Sequence, residues 1–314
     1  MTRSISNVIA YCDETTVGGR PGFGILLIPT RTTVVVGKEI RSEHSVQTKL
    51  LREMERLLAR PEAPSQFHFN KLSGNGWTPR ETAHADLLEV LARYLEPFSV
   101  VTPAQYLGCK AVACRYELGH DQGHWKGSSQ ERKQCYRESV IRACLKVALK
   151  RFYDKQHQVM LQGLVYDNKP FFRELSKQRI VHRLFDDDQN GSSILGGHIR
   201  MATGRDLVWE QPSSDHRRYS LWQKEYVWAH MLQATDVVLG ALRHLFWDTS
   251  DKVKRHRVSA PMVRHTKQVG YRPSDLSVRV SDMSLVRGQP KYDISRPRAI
   301  QPLRLIHDST RRAA

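Results

Sequence analysis

The chain has 314 residues, 40% of them hydrophobic and 26% charged, a globular composition with enough length for a sizeable core. No stretch approaches the roughly 18 apolar residues that a membrane span needs. Five Cys, odd in number, irregular in spacing and without a CxxC pair, argue for reduced thiols rather than a disulfide framework.

The formal net charge is +17, from 49 Lys and Arg against 32 Asp and Glu. Such an excess favours polyanionic partners, nucleic acid first, over a basic surface with no such role. The N-terminus shows a short apolar run and no cleavable signal pattern. The expectation is a soluble, cytoplasmic protein without a membrane partner.

Val8 to Cys12 is apolar without alternation and reads as a strand buried on both faces, delivering Asp13 and Glu14. Turn chemistry follows to Gly22. Phe23 to Ile28 reads as a second strand stopped by Pro29, and Thr32 to Gly37 as a third. Ser45 to Leu58 is helical, with Leu50, Leu51, Met54, Leu57 and Leu58 on one face. Gln66 to Leu72 alternates like a half-buried strand. A helix starts at Thr78, with Pro79 at N1 and Glu81 at N3, and ends near Leu95. Ser99 to Thr102 is strand-like, and 104–127 is irregular.

Ser128 to Tyr153 reads as an amphipathic helix. The run Val159 to Tyr166 reads as a strand ending in Asp167, and Pro170 to Phe185 as a helix. Asp186, Asp187 and Asp188 open an acidic loop that is solvated or binds a cation. Ser220 to Phe246 is a long helix carrying Asp236. From 252 to 314 there are 15 Lys and Arg against 4 Asp and Glu, with five prolines. That stretch reads as a basic extension: an extended or partly disordered arm ordered by nucleic acid, an extension packed on the domain, or a poorly ordered tail with no role. The expected organisation is a domain over 1–250 and an extension over 251–314.

Asp13, Asp167 and Asp236 each sit on an element expected to be buried. Two carboxylates about 4 Å apart repel by several kcal/mol at an effective dielectric near 20. A shared Mg²⁺ or Mn²⁺ converts that repulsion into ligation; separate pairing with Arg or Lys is the other solution. Glu14 is the next candidate ligand. His68 is a ligand, a proton shuttle or a plain strand-end His, and Lys71 a phosphate contact or a surface Lys. Cys109, Cys114, His120 and His124 have the residue types for Zn²⁺, but the loop between the pairs is much shorter than in a zinc finger. Arg132, Lys133, Arg137, Lys146, Lys150 and Arg151, interleaved with aromatics, suit a nucleic-acid backbone or a solvated helix face.

The block Tyr11-Cys12-Asp13-Glu14-Thr15 resembles the opening motif of the bacterial proteins grouped as DUF3800. Phe67 to Leu72 resembles their middle strand, Val165-Tyr166-Asp167 their later acid, and Gln233-Ala234-Thr235-Asp236 their closing pattern. Thr15-Thr16 stands where that family has Ser-Gly. The resemblance covers about residues 5–247. It implies an RNase H-like α/β fold: a mixed central sheet flanked by helices, with acids on the sheet and on a late helix. The function it implies is metal-dependent hydrolysis of phosphodiesters in DNA or RNA, with no covalent intermediate. Asp13, Asp167 and Asp236 would be the ligands, with Glu14 and His68 beside them. The rivals are an inactive nucleic-acid-binding subunit of a larger assembly and a small-molecule phosphoesterase.

Overall fold

The computed structural model describes residues 2–17, 20–36, 38–72, 76–95, 108–116, 126–153, 157–168, 175–185, 195–247, 253–268, 277–286 and 289–292. The strand Ser99–Thr102, the loop Asp186–Asp188, and His120 and His124 lie outside these residues.

The apolar run at Val8–Cys12 forms the centre of a long strand, β1 (Thr2–Val17), which pairs antiparallel with β2 (Arg20–Val36). Pro29 does not stop β2. The β1–β2 register slips there, leaving Thr30 as an extra residue, and the strand runs on. A proline without an N–H is tolerated at such a bulge. β3 (Glu39–His44) adds to β2.

The two first helices form where their caps stand. In α1 (Val46–Leu58), Ser45 Oγ accepts from Thr48 N–H at 3.1 Å. In α2 (Pro79–Tyr94), Thr78 and Glu81 make the expected capping box. The irregular stretch contains a buried strand, β4 (Lys110–Arg115), antiparallel to β2. α3 (Ser129–Phe152) and β5 (His157–Tyr166) follow, with β5 parallel to β1. Next come α4 (Lys177–Phe185), the short strands β6 (Ile199–Met201) and β7 (Val208–Glu210), and α5 (Lys224–Phe246).

The segment expected as a basic extension belongs to the same body. α6 (Val253–Gln268) continues through Pro261 and packs against α2 and α5, with Val258, Met262 and Val263 buried. β8 (Val278–Val286) lies parallel to β4, with Val278 and Val280 in the core, and β9 (Gln289–Tyr292) pairs with β8. The extended-arm expectation is therefore corrected for residues 253–268, 277–286 and 289–292. Their apolar side chains are too sparse to show a period, yet enough to bury.

The sheet order is β6-β5-β1-β2-β4-β8-β9, with β3 on β2 and β7 on β5. This is a mixed sheet in an α/β fold. One face carries α1, α2, α5 and α6 over Ile9, Tyr11, Leu26, Ile28, Ala111 and Val165. The other carries α3 and α4 over Val8, Ala10, Cys12, Phe23, Ile25 and Val112. Among the described residues no helix is long and apolar enough to cross a membrane.

Candidate functional site

Side chains alternate along a strand, so parity decides which face an acid reaches. On β1, Ile9 and Tyr11 point to the α5 face. Asp13 shares their parity and is 6% exposed, while Glu14 points the opposite way. Glu14 accepts a hydrogen bond from Tyr116 Oη at 3.1 Å, on the α3 face. The expectation that Glu14 joins the other acids is corrected: adjacent residues on a strand cannot face the same side.

Asp167 reaches the α5 face only because β5 is bulged. Val159 and Leu161 face α3, and a simple alternation would send Asp167 there too. The register with β1 passes from Val8–Leu161 to Ile9–Gly163, so Gln162 is an extra residue and the parity inverts. Leu164 and Tyr166 then face α3, and Val165 faces α5. The Thr30 hydroxyl donates to Gln162 Oε1 at 2.6 Å, so the two bulged residues flanking β1 are tied together. Because Cys12 pairs with Tyr166, Asp13 and Asp167 follow side by side where the parallel pairing of β1 and β5 stops.

Asp236 arrives from α5. It lines, with Asp13, Asp167, Gln66, Phe67, His68, Ser214, Leu232 and Gln233, a cleft of about 90 Å³. Three acids separated by more than 60 residues each thus line one cleft. Asp236 Oδ2 stands 2.6 Å from His68 Nδ1 and accepts from Phe69 N–H at 2.8 Å. Asp167 accepts from the Ser214 N–H and hydroxyl at 3.0 and 3.3 Å. Asp13 Oδ1 accepts from Glu14 N–H at 2.8 Å.

Residues Gln66–Leu72 do not form the expected strand. They are an extended passage and a 3-10 turn, Phe69–Lys71. The alternation is real, since Phe67 and Phe69 are buried. Its backbone donors, however, go to side chains: Phe67 N–H to Gln233 Oε1 (2.9 Å), His68 N–H to His84 Nε2 (3.0 Å) and Phe69 N–H to Asp236. A backbone whose donors are met this way needs no neighbouring strand. Burial pushes His84 down to about 4, so it is neutral and able to accept. Lys71 is exposed at the end of the turn.

Gln233 lies one helical turn before Asp236 and links three pieces of the site. Its amide donates to Ser214 O (2.7 Å) and to His216 Nδ1 (3.0 Å), while its carbonyl accepts from Phe67. Sequence reading missed this role, although the i, i+3 spacing to Asp236 places both on one face. Ser214 carried no such signal.

The basic helix is elsewhere. Arg132, Lys133, Arg137, Lys146 and Lys150 ride on α3, whose buried hydrophobic side chains join the cluster beneath the opposite face. Arg151 is on the same helix, with its side chain outside the described residues. Cys109 and Cys114 are buried in different clusters on the two faces of the sheet, so they do not converge on one ion.

Carboxylate oxygens and an imidazole are the donors that Mg²⁺ and Mn²⁺ accept, so the chemistry of the cleft fits a divalent ion. The spacing is open: among the described residues no three His, Cys, Asp or Glu side chains are grouped closely enough to hold a metal. Comparison with protein-family models, curated proteins and solved structures finds no match. The class is set by geometry alone: an α/β protein with three carboxylates and a carboxylate-held imidazole in a cleft where the parallel pairing of β1 and β5 stops.

Proposed function

We propose that this cleft hydrolyses phosphodiester bonds of DNA or RNA with the help of Mg²⁺ or Mn²⁺, in an RNase H-like fold. The observation that carries the reading is the convergence of Asp13, Asp167 and Asp236 on one cleft. The sheet supports it: the acid-bearing β1 lies between an antiparallel partner and a parallel one, and the third acid comes from a late helix. The resemblance to DUF3800 proteins points the same way, as does the net charge of +17.

Asp13, Asp167 and Asp236 would hold the ion, which would supply charge neutralisation at the phosphate and an acidified water. The chain's own groups handle the proton. With Nδ1–H donating to Asp236, His68 keeps Nε2 as its basic nitrogen. The Phe69 N–H on the same carboxylate oxygen fixes the acid and hence the ring. His68 is 36% exposed and Asp236 17%, so substrate can reach the imidazole while its partner stays sheltered.

The rival is an inactive nucleic-acid-binding subunit, favoured by the placement of the basic α3 face away from the cleft. One experiment separates them. Labelled DNA and RNA are incubated with Mn²⁺ or Mg²⁺ and either wild type or Asp13→Asn. Hydrolysis that falls at least about a hundredfold in the variant, with binding unchanged, is expected from a lost charge ligand. Equal binding with no cutting by either protein assigns the chain to the rival.

A further inference from the structure

Leu221 and Trp222 are 69% and 86% exposed, side by side on the turn that enters α5. This turn is tightly built. Ser220 N–H donates to Gln223 Oε1 at 2.6 Å, and Gln223 N–H donates to Ser220 O at 2.9 Å. Upstream, Tyr219 Oη accepts from Ser213 N–H at 2.8 Å, and Asp215 pairs with Arg217 at 2.8 Å. An indole held in solvent by an ordered turn loses little freedom on binding, which favours its use as a contact surface.

The surroundings select the partner. From Asp215 to Glu225 three cations, Arg217, Arg218 and Lys224, outnumber two acids, Asp215 and Glu225, with Asp215 paired to Arg217 and 4.0 Å from Arg218. All three cations are exposed. An aromatic face among cations suits a strand with bare bases and a charged backbone better than an apolar protein surface. The position connects the ridge to the cleft. The chain leaves the cleft at Ser214 and returns to it along α5 at Leu232, Gln233 and Asp236. From Lys224 to Asp236 the helix rises about 18 Å at 1.5 Å per residue. That is about five nucleotides at 3.4 Å each, within the roughly 4–16 that single-strand sites span.

We propose that the Leu221–Trp222 ridge is a stacking platform for single-stranded nucleic acid whose neighbouring segment lies in the acidic cleft. This rests on the phosphodiesterase reading for the identity of the ligand, and its test does not use hydrolysis. Trp222 stacks a base, Leu221 packs beside it, and Arg218 and Lys224 meet phosphates. A duplex, with its base faces already stacked, gains nothing from the indole.

The test is fluorescence anisotropy of the full chain with dye-labelled oligonucleotides of about 12 nucleotides, inside the span of a single-strand site. DNA and RNA are used, single-stranded and as duplexes, with EDTA present. Trp222→Ala should weaken single-strand binding about ten- to a hundredfold, the loss of one stacked base. Trp222→Phe should keep most of it, and duplex binding should change little. Equal single-strand affinity in wild type and Trp222→Ala overturns the proposal, as does an equal loss on duplex or no single-strand binding at all. Loss of self-association in Trp222→Ala with unchanged oligonucleotide binding assigns the ridge to a protein contact and also overturns it. Trp222-dependent binding in a protein that never cuts leaves the platform standing and removes only the catalytic reading.

Discussion

His84 holds the backbone of the cleft through a neutral ring. Burial pushes it down to about 4, and it accepts from His68 N–H while its Nδ1 lies 2.8 Å from Arg80 O. Burial, with the charge of His230 adding to it, also pushes His216 to about 4. Both folded values lie below the ordinary value near 6.5, so the unfolded chain takes up protons first as pH falls. Their contribution to stability is full above about pH 6.5 and is lost as pH falls towards 4. The melting temperature should fall through that window, and His84→Gln should flatten the slope; an unchanged slope counts against His84 as its source. Gln233 makes a second claim at this scale. Gln233→Leu strands the Phe67 N–H and the Ser214 carbonyl together, and each unmet buried group costs about 1–3 kcal/mol. Urea unfolding should show a loss of roughly 2–4 kcal/mol, and a loss below about 0.5 kcal/mol would refute the linking role.

At the scale of elements, the bulge in β5 decides where Asp167 points. Gly163 makes the bulge possible beside β7: a Cβ there would lie 1.7 Å from Val208 O and 2.6 Å from its carbonyl carbon. Those are backbone atoms of a paired strand and cannot rotate away. Gly163→Ala should therefore displace β7 or undo the bulge, returning Asp167 to the α3 face. The proposed hydrolysis should vanish together with a stability loss of at least about 2 kcal/mol, the scale of other strained or overpacked sites. A variant with wild-type melting and full activity would refute it. The helices were legible because their signals are local, as the caps at Ser45 and Thr78 illustrate. The strand expected at Gln66–Leu72 was not, because alternation records burial and says nothing of which groups meet the backbone donors. Here α5 side chains and His84 meet them.

For the whole molecule, the test is where the fold ends. Val258, Met262, Val263, Val278 and Val280 are buried against the sheet and α2. Full burial of such side chains is worth about 1.5–3 kcal/mol each, so together they rival the roughly 5–15 kcal/mol by which domains are stable. A chain stopped after residue 250 should give no cooperative melt by circular dichroism, whereas an independent extension would leave the melt intact. The two faces of the sheet also divide the charges, with the acid cleft under α5 and the basic α3 on the far side.

By itself the sequence determined the elements that local chemistry controls: the apolar run of β1, the capped helices, and the acids placed at or within buried segments. It also set the charge that favours a polyanion. Only the tertiary structure decided sidedness. Parity separated Glu14 from Asp13, and one inserted residue at Gln162 turned Asp167 towards Asp236. It likewise folded α6, β8 and β9 into the body and carried α3 away from the cleft. Beyond the local parity that parts Glu14 from Asp13, the physical reason is contact between elements distant in the chain. Which face a side chain reaches depends on register with a strand far away in the chain, and register is fixed by packing rather than by neighbours in sequence.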